Sequence, residues 1–302
     1  MAMTLKDRPI IITGGGTGIG AATALACAGE GMPVLLAGRR AEPLTRIQTL
    51  ITEGGGSAAI STVDVTDEEH ADALLDLAET TFGPPWAVFA NAGRGLDRPG
   101  HRTADDEMRA IFEVNFFSAH RLMAAAAHRM IDAKNGGHLL ACASCVSKFS
   151  PPYHGAYAAT KASMDLMCQS MRIELAPFGI HVSTVHPITT VTDFFDESAK
   201  LSGRTEHSSG LHHTPKFLRQ RPERVARAIV RCLRRPRPEV WTSTLVRTVS
   251  AVRTLMPKLM DREFRKMVDL DRTYEAGAGG GSGRTSMDQP SSEGSDTDIA
   301  AR

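Results

Sequence analysis

Near its start the chain reads Pro9-Ile10-Ile11-Ile12, then Thr13-Gly14-Gly15-Gly16-Thr17-Gly18-Ile19-Gly20, then Ala21-Ala22-Thr23-Ala24. A short, uncharged, β-branched run is a strand buried on both faces, which is the habit of a parallel sheet. The glycines make a turn, and the alanine-rich stretch 18–30 reads as a helix. The alternation then continues. Strands are expected at 34–37, 58–63, 86–90, 138–143, 181–185 and 239–242. Helices are expected at 41–53, 67–82, over 103–134 in two stretches, at 156–176 and from Pro222 to about residue 235. In the 67–82 helix the first turn would hold Asp67, Glu68 and Glu69, at the end that favours negative charge. Regular alternation of this kind predicts an α/β fold, a doubly wound parallel sheet with helices on both faces.

The pattern breaks twice. Residues 188–220 mix polar residues with Phe194, Phe195, His207, His212 and His213 and read as a long irregular loop, of the sort that carries function. The histidines have no carboxylate or cysteine partners at metal-ligand spacing, so no metal is expected there. Residues 245–270 read as one helix with Leu245, Val249, Val252, Leu255 and Leu259 on a single stripe and Arg247, Arg253 and Lys258 beside it. That stripe needs cover from the domain, a second subunit or a membrane surface. Beyond 276 the chain is rich in Gly, Ser and Asp, too apolar-poor to order itself. The expected division is a catalytic domain over 1–245, with 188–220 as its substrate loop, a helical extension over 246–275 and a disordered tail over 276–302.

Composition removes several functions. A net charge of +1 and 5% aromatic residues argue against a nucleic-acid surface. No uncharged run reaches the ~20 residues a membrane span needs, and the charged N-terminus does not read as a signal peptide. The five cysteines, Cys27, Cys142, Cys145, Cys168 and Cys232, have no framework spacing and suit a reducing, cytoplasm-like compartment. Cys142-Ala143-Ser144-Cys145 reads as the end of a buried strand and not as a redox pair.

A strand, a glycine loop and a helix in that order form the setting of a Rossmann-type dinucleotide site. Gly14 permits the tight turn, Gly18 lets the backbone approach a pyrophosphate, and Gly20 lets helix and strand pack closely. Gly38-Arg39-Arg40 follows the second strand, where an acidic residue would select the unphosphorylated ribose of NAD. Paired arginines suit a 2′-phosphate, so NADP is the expected cofactor and NAD the lesser fit. The plainer alternative is that Arg39 and Arg40 lie in solvent at the start of the next helix. Tyr157 and Lys161 lie four apart on a helix, one turn from each other. An ammonium beside a phenol favours the phenolate and pulls its titration toward neutrality, so the pair can exchange a proton with an alcohol or carbonyl oxygen.

Together these motifs resemble those of the short-chain dehydrogenase/reductase family, over about residues 5–245. Thr13 to Gly20 looks like that family's TGxxxGIG loop, with Thr17 and Ile19 inside it. Ala90-Asn91-Ala92-Gly93 looks like its NNAG motif with Ala90 in place of the first Asn. Asp64-Val65 resembles its adenine-contacting pair. His186-Pro187 begins its PG motif, with Ile188 in place of the glycine and Thr192 retained. Asn115, Ser144, Tyr157 and Lys161 fall where its catalytic tetrad falls, Ser144 thirteen positions before Tyr157.

The resemblance implies that Tyr157 is the general acid and base, and that Lys161 lowers its pKa and holds the cofactor ribose. Ser144 would orient the substrate oxygen, and Asn115 would hold a proton-relay water. It implies an enzyme interconverting a secondary alcohol and a ketone by hydride transfer. It also implies a homodimer or homotetramer packed through the helices bearing Asn115 and Tyr157. Arg121, His128 and Arg129 could instead mark the first of these helices as a solvated face. Phe149, Tyr153, Phe194 and Phe195 point to a hydrophobic substrate. The competing expectation is a non-catalytic NADP-binding scaffold or redox sensor; the intact tetrad favours the enzyme.

Overall fold

Seven parallel strands form one sheet in the computed structural model, which describes residues 3–203 and 214–268. They are β1 (Ile10–Thr13), β2 (Val34–Gly38), β3 (Ala58–Thr62), β4 (Ala87–Ala90), β5 (Gly137–Cys142), β6 (Ile180–His186) and β7 (Glu239–Trp241). Their order is β3-β2-β1-β4-β5-β6-β7, and Ile10 pairs with Val34 on one side and Ala87 on the other. Every residue of β1 and of β5 is buried, as strands covered on both faces require. The order reverses between β1 and β4. Open α/β sheets bind ligands in the crevice at the carboxyl ends of the strands at such a point.

Helices fill the crossovers: α1 (Gly18–Ala28), α2 (Ala41–Glu53), α3 (His70–Phe82), α4 (Asp105–Phe112), α5 (Ser118–Ala133), α6 (Gly155–Leu175), α7 (Phe194–Leu201), α8 (Pro222–Arg234), α9 (Thr244–Leu255) and α10 (Pro257–Arg265). Alternation along β1 sends Ile10 and Ile12 to one face, where they meet Ala24 of α1, Leu44 of α2 and Ile229 of α8. Ile11 goes to the other face with Leu74 of α3, Leu122 of α5 and Met164 of α6. Each fully buried Leu or Ile adds roughly 1.5–3 kcal/mol relative to exposure. Arg129 of α5 reaches Asp72, Asp76 and Glu79 of α3, and Arg121 pairs with Glu113 and donates to Thr66 O. Both arginines are therefore engaged within the chain.

Three elements differ from the sequence expectation. Helix α3 begins at His70 and not at 67, because Asp64 Oδ1 captures the Thr66 N–H and hydroxyl and His70 Nδ1 lies 2.7 Å from Asp67 O. Asp67, Glu68 and Glu69 therefore lie in the turn before it. The 188–220 segment is not irregular throughout: α7 lies within it. The stripe at 245–270 is two helices, α9 and α10, because Pro257 cannot continue the ladder and Met256 leaves helical geometry. Residues up to Met267 form one compact unit, and of the second unit only Val268 is described. The tail at 276–302 and His207, His212 and His213 lie outside the described residues. No described helix is long and apolar enough to cross a membrane.

Candidate active site

The loops after β1 and β4 are tied together across the crevice. Thr13 Oγ1 accepts the N–H groups of Asn91 and Ala92, each at 3.0 Å, and Asn91 Nδ2 donates to Thr13 O at 3.0 Å. Gly18 sits at φ +52°, where a side chain is strained. A Cβ on Gly20 would lie 2.1 Å from Gly14 O, so no other residue fits there. Thr17 caps α1 without a side-chain hydrogen bond, leaving the first N–H groups of the helix for an anion. This cradle fits the pyrophosphate of a dinucleotide.

The neighbouring positions are less uniform. Arg39 and Arg40 are exposed at the end of β2. Asp64 is held below the ordinary carboxylate range, chiefly by the Thr66 N–H, with the Arg39 charge contributing. Asp64 thus shapes its own turn as well as facing the Arg39 side, while Val65 is buried. The segment 188–193 folds over the glycine loop, with Thr192 Cγ2 only 2.9 Å from where a Gly18 Cβ would stand. Ile188 is buried, and its backbone avoids the left-handed region, so this chain has no need of glycine there. Its N–H donates to Thr242 Oγ1 at 3.3 Å.

On the other side of the crevice four side chains gather. Ser144 follows β5, Tyr157 and Lys161 lie on α6, and Asn115 lies in a π-turn (Glu113–Phe117) between α4 and α5. Such wide turns concentrate at functional sites. Lys161 is 4% exposed, its Nζ donates to Cys142 O at 2.7 Å and stands 5.8 Å from the Tyr157 ring centre. Ser144 hydrogen-bonds the Tyr157 side chain. Asn115 Oδ1 accepts Arg94 N at 2.8 Å, and its Nδ2 donates to Arg94 O at 2.9 Å and Thr160 Oγ1 at 3.1 Å. The side chain is thus spent on clamping the loop after β4.

The titration of the pair differs from the sequence expectation. Burial raises the Tyr157 phenol above its ordinary value, Cys142 adds to the rise and the Ser144 hydrogen bond opposes it. Burial also depresses Lys161 below the usual ammonium range. In this structure desolvation sets the direction for both groups, favouring the neutral phenol of Tyr157 and the neutral amine of Lys161. The neighbouring thiols shift the same way: burial pushes Cys145 up to about 11 and raises Cys142.

Aromatic rings close the cleft. Phe194 of α7 lies 5.6 Å from the Tyr157 ring and 5.6 Å from Phe195, and Phe149 stacks on Phe264 of α10 at 5.9 Å. A Cβ on Gly95 would fall 2.4 Å from Ser198 Oγ of α7, and Ser202 Oγ accepts Asp97 N at 2.9 Å. The loop after β4 and the segment after β6 therefore join over the site. Sequence reasoning missed Thr160, the Cys142 carbonyl, Gly95 and Phe264. Thr160 alone carried a signal, its place between Tyr157 and Lys161.

The short chain dehydrogenase family model matches residues 8–201. An uncharacterized oxidoreductase of Listeria innocua is 30% identical over 236 residues, 78% of this chain and 93% of its own length. An alcohol dehydrogenase structure from Thermococcus sibiricus, complexed with 5-hydroxy-NADP, superposes at TM-score 0.66 with 25% identity, over 78% of this chain and 95% of that one. A Burkholderia phymatum structure in complex with NAD superposes at TM-score 0.77 with 22% identity, over 85% of this chain and 96% of that one, a likeness of fold. With a family match over most of the chain, a glycine cradle at the sheet's reversal and a Ser, Tyr, Lys cluster beside it, this protein belongs to the short-chain dehydrogenase/reductase family of oxidoreductases.

Proposed function

We propose that the chain is an NADP-dependent oxidoreductase interconverting a secondary alcohol and a ketone on a hydrophobic substrate. The observation that carries this reading is the convergence of Ser144, Tyr157 and Lys161 at one end of the β1/β4 crevice, beneath Phe194. A nicotinamide cofactor, when bound, supplies or takes up the hydride. Gly14, Gly18, Gly20 and the N–H groups opening α1 would hold its pyrophosphate. Arg39, with Arg40 beside it, would hold the 2′-phosphate, and Asp64, Val65, Asn91, Ala92 and Gly93 would line the adenine and ribose side. Pro187, Ile188 and Thr192 would bound the nicotinamide.

For the chemistry, Tyr157 gives its proton to the carbonyl oxygen in reduction and takes one from the hydroxyl in oxidation. Ser144 donates to the same oxygen and steadies its developing charge. Lys161 holds the ribose hydroxyls and biases the phenolate once the cationic nicotinamide adds to its field. Because both Nδ2 hydrogens of Asn115 are already engaged, its relay water would hang on the backbone that the π-turn loosens.

The test combines titration with turnover. NADPH and NADH are titrated by fluorescence on wild type and Arg39→Ala, then NADPH oxidation is followed with a panel of apolar ketones. Tighter NADPH binding that Arg39→Ala erases, with turnover abolished in Tyr157→Phe, supports the reading. Binding of neither cofactor refutes it, and binding without turnover on any ketone moves the scaffold reading ahead.

Two further assignments belong to the same proposal. The subunit interface lies on α6, where Leu166 and Ile173 are 64% and 77% exposed, and light scattering should give a dimer or tetramer. The pair α9 and α10 touches a membrane surface. Leu255, Met256 and Leu259 are 81%, 54% and 45% exposed beside Arg247, Lys258, Arg262 and Arg265, an apolar and cationic edge suited to anionic lipid. Co-sedimentation with anionic vesicles, lost in the Leu255→Glu, Leu259→Glu double variant, is the expected result; equal sedimentation of both proteins refutes it.

A further inference from the structure

We propose that a cluster of the half-buried Lys148 and Glu239 with the buried Asp165 and His186 is the device that positions Ser144, with His186 as the positioning residue in direct contact with the Ser144 backbone. The chain 144–148 needs such a device. It forms a three-residue 3-10 turn (Cys145–Ser147), and no residue from 144 to 148 is fully buried. Its own bonds are three: Ser147 N to Ser144 O at 3.1 Å, Lys148 N to Cys145 O at 3.3 Å and Val146 N to Ser144 Oγ at 3.3 Å. A turn this short does not hold an oxygen-binding hydroxyl to a fraction of an ångström by itself.

The front of the turn is fastened by His186 at the end of β6, which is fully buried. Its Nδ1 lies 3.1 Å from Ser144 O and 3.2 Å from Ser147 Oγ. A carbonyl oxygen only accepts, so Nδ1 carries the proton. Nε2 faces Thr184 Oγ1 at 3.0 Å and Asp165 Oδ1 at 3.5 Å. The ring stacks on Trp241 at 4.5 Å and 12°, and Trp241 Nε1 donates to Glu239 Oε2 at 2.7 Å.

The back of the turn is fastened by Lys148, whose Nζ lies 2.5 Å from Asp165 Oδ2 and 2.8 Å from Glu239 Oε1. Cys145 N adds a bond to Pro187 O at 3.0 Å. Asp165 Oδ2 thus takes the Lys148 fastening from within α6, the helix that carries Tyr157 and Lys161, while its Oδ1 lies beside His186 without a hydrogen bond. The turn bearing Ser144 and the helix bearing Tyr157 are set against one shared buried carboxylate.

The same grouping accounts for what these residues resemble. Donor atoms of Asp165, His186 and Glu239 all lie within 4.8 Å of one another, a spacing suited to a cation. Lys148 places its ammonium against both carboxylates, so the cation here is a side chain on the turn being positioned.

That Ser144 binds the substrate oxygen rests on the reading under Proposed function; the test of positioning does not. Amide hydrogen exchange over residues 143–149 is measured on the full chain without cofactor, in His186→Phe, His186→Asn and Lys148→Met. Phenylalanine keeps the stack on Trp241 and removes the donor, whereas the asparagine amide stands where Nδ1 stood. Exchange about tenfold faster in His186→Phe, close to wild type in His186→Asn, and faster in Lys148→Met is expected. Wild-type exchange in His186→Phe, or no rescue by asparagine, overturns the proposal. If His186→Phe does not fold, the proposal stands or falls on Lys148→Met, where wild-type exchange overturns it. On any ketone the wild type turns over, His186→Phe should lower kcat about tenfold or more with KM for NADPH unmoved, and asparagine should restore it.

Discussion

On the floor of the cleft, Thr13, Asn91, Asn115 and Lys161 each spend their polar atoms on backbone from another loop or strand end, at 2.7 to 3.0 Å. On its roof, Phe194, Phe195 and Phe264 are held by ring contacts at 5.6 to 5.9 Å and carried on helices of eight and nine residues. Directional bonds on the floor fix the loops and the helix that border the crevice. Ring contacts on the roof are non-directional, and helices that short have little stability of their own. The contrast teaches where exactness is needed: on the proposed function, proton transfer tolerates no slack, whereas an apolar substrate can be enclosed by surfaces that shift.

The sharpest way to break this contrast is Tyr157→Phe. It should lower kcat about a thousandfold while the melting temperature and NADPH affinity stay near wild type. A modest loss would mean that the floor is less exacting than its bonds imply. Asp165→Ala comes next, since removing one member of a buried ion pair costs about 3–5 kcal/mol, read by denaturant unfolding. Asp165 is held well below the ordinary carboxylate value. The stability it adds is therefore full above about pH 4 and is lost as pH falls through its lowered folded-state value. The difference between wild type and Asp165→Ala should accordingly shrink in acid and not in mild base.

Arg39→Ala should weaken NADPH binding about tenfold and leave NADH binding nearly unmoved. Phe194→Ala, on the roof, should raise KM for an apolar ketone only a few-fold, about 1 kcal/mol, with kcat retained; a collapse of kcat would show that the ring also orients Tyr157. The smallest effect is on pH dependence. Because burial raises the phenol, the reduction rate should stay flat from about pH 6 to about pH 9 while the oxidation rate climbs across the same range, followed as NADPH consumption and formation.

Much of the sheet was legible because apolar runs such as Ile10-Ile11-Ile12 and Leu35-Leu36-Ala37 have few other homes, and because the glycine loop dictates the turn that follows. Helix α2 was found with its observed limits. Where a side chain competed with the backbone, as Asp64 does for the Thr66 N–H, a boundary moved by three residues. Helix α7 was hidden because eight residues carry too short a period. The break before α10 was written in Pro257 and overlooked in favour of the longer stripe. That Tyr157 and Lys161 share one face of a helix was readable from their spacing, whereas Ser144 and Asn115 were named only through the family resemblance. The direction of the Tyr157 shift was not readable, since burial is a property of the assembled core. Lys148, Asp165, His186 and Glu239 come from four separate stretches of chain, and nothing local announces their meeting.

The π-turn at Glu113–Phe117 has one consequence for the two helices it joins. Each residue of an α-helix advances the phase by about 100°, so the extra residue of a wide turn leaves α4 and α5 that far out of step. The offset lets α4 aim Ile111 at Ala156 and Leu96 near the substrate side, while α5 aims Leu122 and Met123 at the sheet. Deleting one residue between 113 and 117 would restore a regular helix and rotate one of these faces into solvent. The length of this segment is therefore as constrained as its chemistry, and the asparagine and the phase shift stand or fall as one unit.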